Sequence, residues 1–451
     1  MARVLLIQPN GNREVVKTIE LPYTPISLVY LGTAIEDKHQ IKIFDRNLDL
    51  KDETLLNLII SYNPDIIGIS STTTEALHDI IYLGKLIKKN MPSKIIVVGG
   101  VHATIDPDSL LKEPYVDYVI RGEGESALLD FCNTFDTNPK ELKNLMNINN
   151  NPLRPFIDMN ELKLPNYNLI DLKKYDVFYI NLSRGCPGNC TFCYSSKMWG
   201  KNGRPYIRAL STERAKEFFK ELIEKYNIKT FCIGDDNFVP FKSRAVEICN
   251  SLEQYNLNFF CFGRSDYLDD RIIQALKKAG CHTIQIGVES GSQRILDFLN
   301  KKVKVQQNIN AIECCKRNGI KVEASTMIGI TSETIAEMNE TVEFIKKYKP
   351  SLVSMRIFNP MPGTPLFEYC LEKKYFKKPE TLEEWANWAG DFCTIKQNTS
   401  EIPDELLIKT YNELRKVGLI KVRLKRLLFW VKTGEFKYLY KRILFYLTRM
   451  K

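Results

Sequence analysis

The chain has 451 residues and a formal net charge of +10, with 64 Lys and Arg against 54 Asp and Glu. The excess is confined to one end, because twelve Lys and Arg against a single acid fall between residues 415 and 451. The rest of the chain is close to neutral, which argues against a body built to bind nucleic acid. A chain of this length has room for about three domains and a large buried core.

Cysteine use predicts the cellular compartment. The chain has twelve cysteines and begins Met-Ala-Arg-Val without the pattern of a signal peptide. We therefore expect free thiols in the reducing cytoplasm and not a disulfide framework.

Residues 1–135 are predicted to form a doubly wound α/β domain. Short apolar runs alternate with helix-length segments, which indicates a parallel sheet with helices on both faces. The strands are expected at residues 4–7, 41–44, 66–69, 95–98 and 118–120. Ligands of such sheets bind at the carboxyl ends of the strands. Ser70 and Thr72 follow one strand, and the pair Gly99-Gly100 follows another. Paired glycines let a backbone approach a bulky ligand closely. A tight turn would also explain the two glycines.

Residues 136–170 are rich in Asn, Pro and Lys, and we interpret them as a linker. Six strand-like runs separated by helical stretches then predict a partial (β/α)6 barrel over residues 171–376. These strands are expected at residues 177–182, 230–234, 258–263, 283–288, 322–328 and 352–358. Functional groups in such barrels collect at the carboxyl ends of the strands.

A loop after the first barrel strand carries Cys186, Cys190 and Cys193 at the spacing C-x3-C-x2-C. Three thiolates at this spacing can bind three irons of a four-iron four-sulfur cluster and leave the fourth iron open. A structural zinc site usually needs a fourth protein ligand, and no further Cys or His lies close by in the sequence. We expect these three cysteines to be the metal ligands and the centre of catalysis.

This spacing, with Phe192 just before the last cysteine, resembles the signature of the radical S-adenosylmethionine (SAM) superfamily. The resemblance implies that SAM binds the open iron and is reductively cleaved to a radical that takes hydrogen from an unactivated carbon. Later strand ends are similar to the family's SAM-binding segments. They imply SAM contacts from Phe192, Gly234, Asp235, Asp236, Arg264, Glu289 and Gly329. Arg264 has a second interpretation as the cap of a solvated edge, and Glu289 as half of a structural salt bridge.

The first domain resembles the cobalamin-binding domain fused to many members of this superfamily. The resemblance lies in residues 4–9, 25–36, 99–104 and 121–125. In the wider cobalamin-binding fold a D-x-H-x-x-G motif supplies a histidine to cobalt, and Asn47 takes that place here. The resemblance thus implies either cobalamin without a histidine below the cobalt, or a domain that has lost the cofactor. The residues expected beside the corrin are Ser70, Thr72, Gly99, Gly100 and His102, the last as a hydrogen-bonding group and not a metal ligand.

The resemblance implies a cobalamin-dependent enzyme that methylates an unactivated carbon. One alternative is a radical cyclase, rearrangement or oxidation enzyme without methyl transfer, and another is a cobalamin or redox sensor without SAM turnover. Methylthio-transferring tRNA enzymes are disfavoured, because Cys132 is the only cysteine before the cluster loop. The expected partners are a small-molecule, lipid-like or peptide substrate and an external electron donor such as flavodoxin or ferredoxin.

Residues 377–451 are predicted to form a helical extension. Trp385 and Trp388 are expected to pack on the barrel or to cover its opening. The basic segment 419–447 has apolar residues at helical spacing and too many charges to span a bilayer. Two interpretations stand side by side: this segment rests on the inner face of a membrane, or it packs on the protein itself.

Overall fold

Two parallel sheets organise the chain, one in each of its two larger parts. The computed structural model describes residues 1–11, 23–71, 76–201, 203–388, 395–414 and 416–417. Thr72 and the basic segment 419–447 lie outside the described residues, so the expectations about them stay predictions. Within the described ranges, no helix is both long enough and apolar enough to cross a bilayer.

The first sheet has five parallel strands in the order β2-β1-β3-β4-β5. Its strands are β1 (Arg3–Gln8), β2 (Gln40–Asp45), β3 (Ile66–Ser70), β4 (Ile95–Gly99) and β5 (Tyr118–Ile120). Its helices are α1 (Ile26–Ile35), α2 (Asp52–Tyr62), α3 (Leu77–Asn90), α4 (Val101–Ile105), α5 (Pro107–Leu111) and α6 (Glu125–Thr137).

Successive residues of a strand point to opposite faces, so an apolar strand supplies two cores. In β1, Leu5 and Ile7 join the core under α2 and α3, whereas Val4 and Leu6 join the core under α1 and α6. The doubly wound fold expected for this part of the chain is therefore confirmed.

The second sheet has six parallel strands in the order β13-β12-β11-β10-β9-β6. Its strands, together with the separate antiparallel pair β7 and β8, are β6 (Phe178–Ile180), β7 (Ser183–Gly185), β8 (Ile207–Ala209), β9 (Thr230–Ile233), β10 (Asn258–Gly263), β11 (Cys281–Glu289), β12 (Lys321–Ile328) and β13 (Leu352–Ile357). An open parallel sheet of six strands in this order is the arrangement that the prediction of a partial barrel requires.

Helices cover this second sheet and continue beyond it. They are α7 (Ser195–Trp199), α8 (Thr212–Glu224), α9 (Lys242–Leu252), α10 (Asp270–Lys278), α11 (Gln293–Phe298), α12 (Val305–Arg317), α13 (Ile335–Tyr348), α14 (Pro365–Glu372), α15 (Leu382–Trp388) and α16 (Asp404–Leu414). Short 3-10 helices lie at Pro139–Asn144, Tyr167–Leu169, Leu172–Lys174, Glu253–Tyr255 and Ser265–Tyr267.

Helix α15 packs on residues of the barrel part of the chain, as expected, and also on the first sheet, which was not expected. Trp385 is only 1% exposed and belongs to the core that α3 forms with the first sheet. Its ring centroid lies 5.8 Å from that of His102 and 5.9 Å from that of Phe367 in α14. Trp388 joins the same core, and its indole Nε1 donates to the Pro360 carbonyl oxygen, 3.1 Å away. The aromatic helix thus joins the two parts of the chain.

Candidate active site

The three cysteines of the predicted cluster loop lie between β7 and α7. Gly185, at the start of this loop, has φ +92°, and a Cβ there would lie 2.1 Å from the Tyr206 carbonyl oxygen, so only glycine fits this turn. Backbone N–H groups approach two of the three sulfurs: the Gly188 nitrogen lies 3.4 Å from Cys186 Sγ and the Ser195 nitrogen lies 3.5 Å from Cys193 Sγ.

Two of the three thiols of this loop lie in surroundings that disfavour the thiolate form. Burial raises the pKa of Cys186, and burial raises the pKa of Cys193 to about 12. A metal that binds a thiol takes its proton, so cluster assembly would overcome this cost. In the described part of the chain, no three His, Cys, Asp or Glu side chains group around the position of one ion. The three thiols fit a cluster, in which each would bind a different iron.

Asp235 and Asp236 follow β9, and their carboxylates have different neighbours. Asp235 is fully buried; its two oxygens accept from the Leu182 N–H at 2.7 Å and the Ser183 hydroxyl at 2.6 Å. Burial raises its pKa to about 6. Asp235 therefore holds the segment that leads into the cluster loop. Both of its oxygens bind that segment, and not the SAM amino group that the sequence led us to expect.

Asp236 accepts a hydrogen bond from the Ser195 hydroxyl, 2.6 Å away, and Ser195 is the residue whose N–H approaches Cys193. Solvent reaches Asp236, yet the surrounding protein raises the pKa of its carboxyl by desolvation. Asp236 is thus exposed to solvent beside the cluster loop, with one carboxylate oxygen bonded to that loop. Beside it, the Gly234 N–H donates to the Ile180 carbonyl oxygen of β6.

Arg264 and Glu289 are both held by protein groups. Arg264 Nη1 lies 3.7 Å from Cys190 Sγ, and its other nitrogens bond to Asp266 and to the Lys301 carbonyl oxygen. Glu289 Oε1 accepts from Lys301 Nζ at 2.7 Å, and both side chains are buried. The salt bridge considered for Glu289 is present, whereas Arg264 caps no solvated edge. Phe192 packs beside the small core of Met327, Phe358 and Leu366.

Gly329 ends β12 in a tight turn that Glu333 closes. Glu333 Oε2 accepts from the Gly329 N–H at 2.6 Å and the Ile330 N–H at 3.2 Å. Its Oε1 is buried and has no hydrogen-bond partner among the described residues. Burial raises the pKa of this carboxyl to about 8.

Because the folded protein holds the proton of Glu333 more tightly than the unfolded chain does, stability falls as pH rises toward 8. We expect the folded protein to lose on the order of 1–2 kcal/mol between about pH 6 and about pH 8, and Glu333→Gln to abolish most of that loss. Thermal unfolding followed across this range measures it. Glu313→Gln, on an exposed position of α12, is the matched control. Equal pH slopes in wild type and Glu333→Gln would contradict the assignment.

A cavity of about 280 Å³ opens at the carboxyl ends of β3 and β4. Ser70, Gly99 and Gly100, three of the residues expected beside the corrin, line it. Gly68 also lines the cavity. A Cβ at this position would lie 2.6 Å from Leu6 Cδ2, so the floor of the cavity has no room for a side chain there. The wall is largely apolar, with residues of β1, β4, α1 and α6. These features fit a large, partly apolar ligand such as part of a corrinoid.

His102 does not line this cavity, which corrects its expected role near the corrin. It is 1% exposed, its Nε2 lies 3.0 Å from the Ser109 hydroxyl, and its ring packs edge-on against Trp385. Burial lowers its pKa to about 4, so the ring is neutral. The side chain points away from the strand ends because α4 begins at Val101 and turns it into the core.

Asn47, which stands where a cobalt-binding histidine would be, is held by its neighbours. Its Nδ2 donates to Asp45 Oδ1 at 2.9 Å, and Tyr175 donates its hydroxyl to Asp45 Oδ2 at 3.2 Å. Between them, Arg46 is fully buried and pairs with Asp79 at 2.9 Å. This segment does not line the cavity, and its polar side chains are engaged with protein groups.

Sequence reasoning missed a buried ion network that joins the cavity to the cluster loop. Arg184, two residues before Cys186, pairs with Glu123 and Glu125, and Arg208 pairs with Glu123 at 3.0 Å. Burial opposes the charge of Glu125, but the Arg184 guanidinium outweighs it and lowers the pKa of that carboxyl. The segment 121–125, which contains both glutamates, was part of the resemblance to the cobalamin-binding domain. Its arginine partners could not be predicted, because they lie about sixty or more residues further along the chain.

Two family models match the chain: the B12 binding domain over residues 13–131 and the Radical SAM superfamily over residues 180–345. An uncharacterised methyltransferase of Pyrococcus horikoshii is 31% identical over 93% of this chain and 94% of its own length. The chain therefore belongs to the cobalamin-dependent branch of the radical SAM superfamily. It is an enzyme, and its cofactors are those of the branch: a four-iron four-sulfur cluster, SAM and cobalamin.

Two further comparisons describe the breadth of this family. The anaerobic magnesium-protoporphyrin IX monomethyl ester cyclase of Rubrivivax gelatinosus is 26% identical over 82% of this chain and 70% of its own length. The radical SAM methyltransferase TsrM of Kitasatospora setae, solved with cobalamin and a [4Fe-4S] cluster, superposes with a TM-score of 0.67 at 16% identity. The match covers 83% of this chain and 75% of TsrM, and at this identity it shows the shared fold.

Proposed function

We propose that the protein is a cobalamin-dependent radical SAM methyltransferase that acts on an unactivated carbon of its substrate. One observation carries the proposal: the cavity of the first sheet is walled by residues of both parts of the chain. Asn181 and Arg184 come from the chain leading to the cluster loop, and Met198 and Trp199 come from the helix that follows it. A corrinoid in this cavity would thus adjoin the site where SAM is cleaved.

When bound, the cluster supplies an electron to SAM, SAM supplies the radical and the methyl group, and cobalamin carries that methyl group. In this proposal Cys186, Cys190 and Cys193 hold the cluster. SAM binds beside them, with the Asp236 carboxylate toward its ammonium group and with Gly234 and Gly329 at the neighbouring strand ends. Ser70, Gly99 and Gly100 hold the corrinoid, and Thr72 is proposed with them.

Asp235, Ser183 and Arg184 position these groups instead of reacting. Asp235 fixes Leu182 and Ser183 immediately before the cysteines. Arg184 is the next residue, and its salt bridges to Glu123 and Glu125 attach this segment to the first part of the chain. A rigid loop keeps the reacting groups aligned and excludes water from a radical site.

The experiment that tests methyl transfer is anaerobic reconstitution with cobalamin, followed by incubation with SAM, dithionite and a metabolite extract. We expect both 5′-deoxyadenosine and S-adenosylhomocysteine, because one SAM gives the radical and another gives its methyl group. With a deuterium-labelled methyl group on SAM, the methylated product carries the label in its mass spectrum.

Other outcomes favour the other interpretations. Formation of 5′-deoxyadenosine without S-adenosylhomocysteine supports a cyclase, rearrangement or oxidation enzyme, a candidate favoured by the similarity to the cyclase of Rubrivivax gelatinosus. Formation of neither product supports a sensor.

The setting of the reaction is part of the proposal. We place the enzyme in the cytoplasm, because the eleven cysteines of the described residues are free thiols. The electron comes from a small redox protein such as flavodoxin or ferredoxin, and the substrate is a small molecule, a lipid-like molecule or a peptide. Contact of the basic segment 419–447 with a membrane is proposed from its composition alone.

A further inference from the structure

We propose that Arg264 is a positioning residue that raises the reduction potential of the cluster by donating a hydrogen bond to the Cys190 sulfur. The inference rests on the proposed function, since it takes Cys190 as a cluster ligand. It gives Arg264 a role other than the SAM contact that the sequence implies.

The guanidinium group of Arg264 is fixed by three hydrogen bonds to protein. Nε donates to Asp266 Oδ1 at 3.1 Å, and Nη2 donates to Asp266 Oδ2 at 3.0 Å and to the Lys301 carbonyl oxygen at 2.8 Å. The remaining nitrogen, Nη1, lies 3.7 Å from Cys190 Sγ. The side chain is only 8% exposed, so water competes little for these donors.

The N–H donors of Arg264 that remain unused indicate whether its partner is a sulfur or a SAM carboxylate. An arginine has five N–H donors and binds a carboxylate best through a two-pronged fork. The fork formed by Nε and Nη2 already holds Asp266. What remains is the pair of hydrogens on Nη1, of which one faces Cys190.

The cluster loop is shaped to accept this close approach. A Cβ at Gly188 would lie 2.7 Å from Arg264 Nη1 and 3.5 Å from Cys186 Sγ. Because three bonds anchor the guanidinium, it cannot move away from such a Cβ without losing one of them. The glycine between Cys186 and Cys190 therefore keeps the space through which Nη1 reaches the thiolate.

The two positive charges nearest Cys190 each have a carboxylate partner, and the N–H of Arg264 Nη1 is directed at the Cys190 sulfur. The charge of Arg264 is offset by Asp266, and that of the nearby Lys301 by Glu289, 2.7 Å away. A hydrogen bond to a ligating sulfur stabilises the reduced cluster, which carries one more electron, and so raises its potential. The electron comes from the external reductant, and no bond of the protein forms or breaks.

The test is a redox titration of the full-length protein with reconstituted cluster, followed by electron paramagnetic resonance. Arg264→Gln is expected to make reduction roughly tenfold less favourable, a fall of about 59 mV for one electron. Arg264→Lys keeps the charge without the fork and is expected to recover part of the fall. Arg317→Gln, an exposed arginine paired with Asp270, is the matched control and is expected to titrate as wild type does.

The outcomes separate this inference from the proposed function. A wild-type protein without four irons per chain overturns the proposed function and the role of Arg264 with it. A wild-type cluster whose potential is the same in Arg264→Gln and Arg317→Gln overturns the role of Arg264 alone. If Arg264→Gln fails to retain its cluster, Gly188→Ala decides, since its Cβ displaces Nη1: a lowered potential supports the inference and an unchanged one overturns it.

Discussion

Alanine at Cys186, Cys190 or Cys193 is expected to lower reductive cleavage of SAM to the level of a reaction without enzyme. Each thiolate would hold a different iron, so the loss of one opens a second iron and the cluster is no longer retained. The expected effect is therefore complete for each single variant rather than graded. Iron and sulfide analysis, together with 5′-deoxyadenosine quantified by chromatography, measures it.

Cys314→Ala is the matched control for this series. Cys314 lies on α12, where its thiol faces Asp270 at 3.3 Å, away from the cluster loop. This variant is expected to keep its iron and its activity. A variant of the three loop cysteines that keeps full iron content and full cleavage activity would contradict the assignment of that residue.

Gly99→Leu is expected to weaken cobalamin binding by roughly tenfold or more while leaving SAM cleavage in place. Gly99 lines the cavity at the end of β4, and a Cβ there would lie 3.5 Å from the Ile120 carbonyl oxygen, an ordinary contact. A methyl group thus fits, but a longer side chain must enter space meant for the ligand. Overfilling a packed site costs about 1–3 kcal/mol, which corresponds to roughly tenfold or more in affinity.

The measurement is the optical spectrum of protein-bound corrinoid after gel filtration, with 5′-deoxyadenosine formation as the second readout. Gly99→Ala is the matched control and is expected to bind cobalamin almost as wild type does. Retention of cobalamin by Gly99→Leu would place the ligand elsewhere. Loss of both readouts would show that the substitution damages the fold instead of the cavity.

The strands could be predicted from the sequence because their signal is local. All eleven strands expected in the two sheets are present, and the predicted ends differ from the observed ones by at most two residues. Apolar runs of this length, divided by helix-length segments, leave few other arrangements. The short pair β7 and β8 was not expected, since Ser-Arg-Gly and Ile-Arg-Ala are not the apolar runs that indicate a strand.

The partners of the site residues could not be predicted in the same way. Asp235 meets Leu182 and Ser183, more than fifty residues earlier in the chain, and Arg264 meets Cys190. A motif indicates that a charged residue stands at a strand end, but not which of several nearby groups binds it. His102 is the clearest case, because its place after two glycines indicated a ligand contact and the turn into α4 buried it instead.

The position of α15 has a consequence for how the protein is made. The core on one face of the first sheet is completed by Trp385 and Trp388, which the ribosome adds about 250 residues after the last helix of that sheet, α6. The core of the part of the chain synthesised first is therefore completed only after all six strands of the second sheet have been made. Until residue 388 emerges, the surface that α15 covers on α3 stays open to water, and the amino-terminal half alone is an unfinished folding unit.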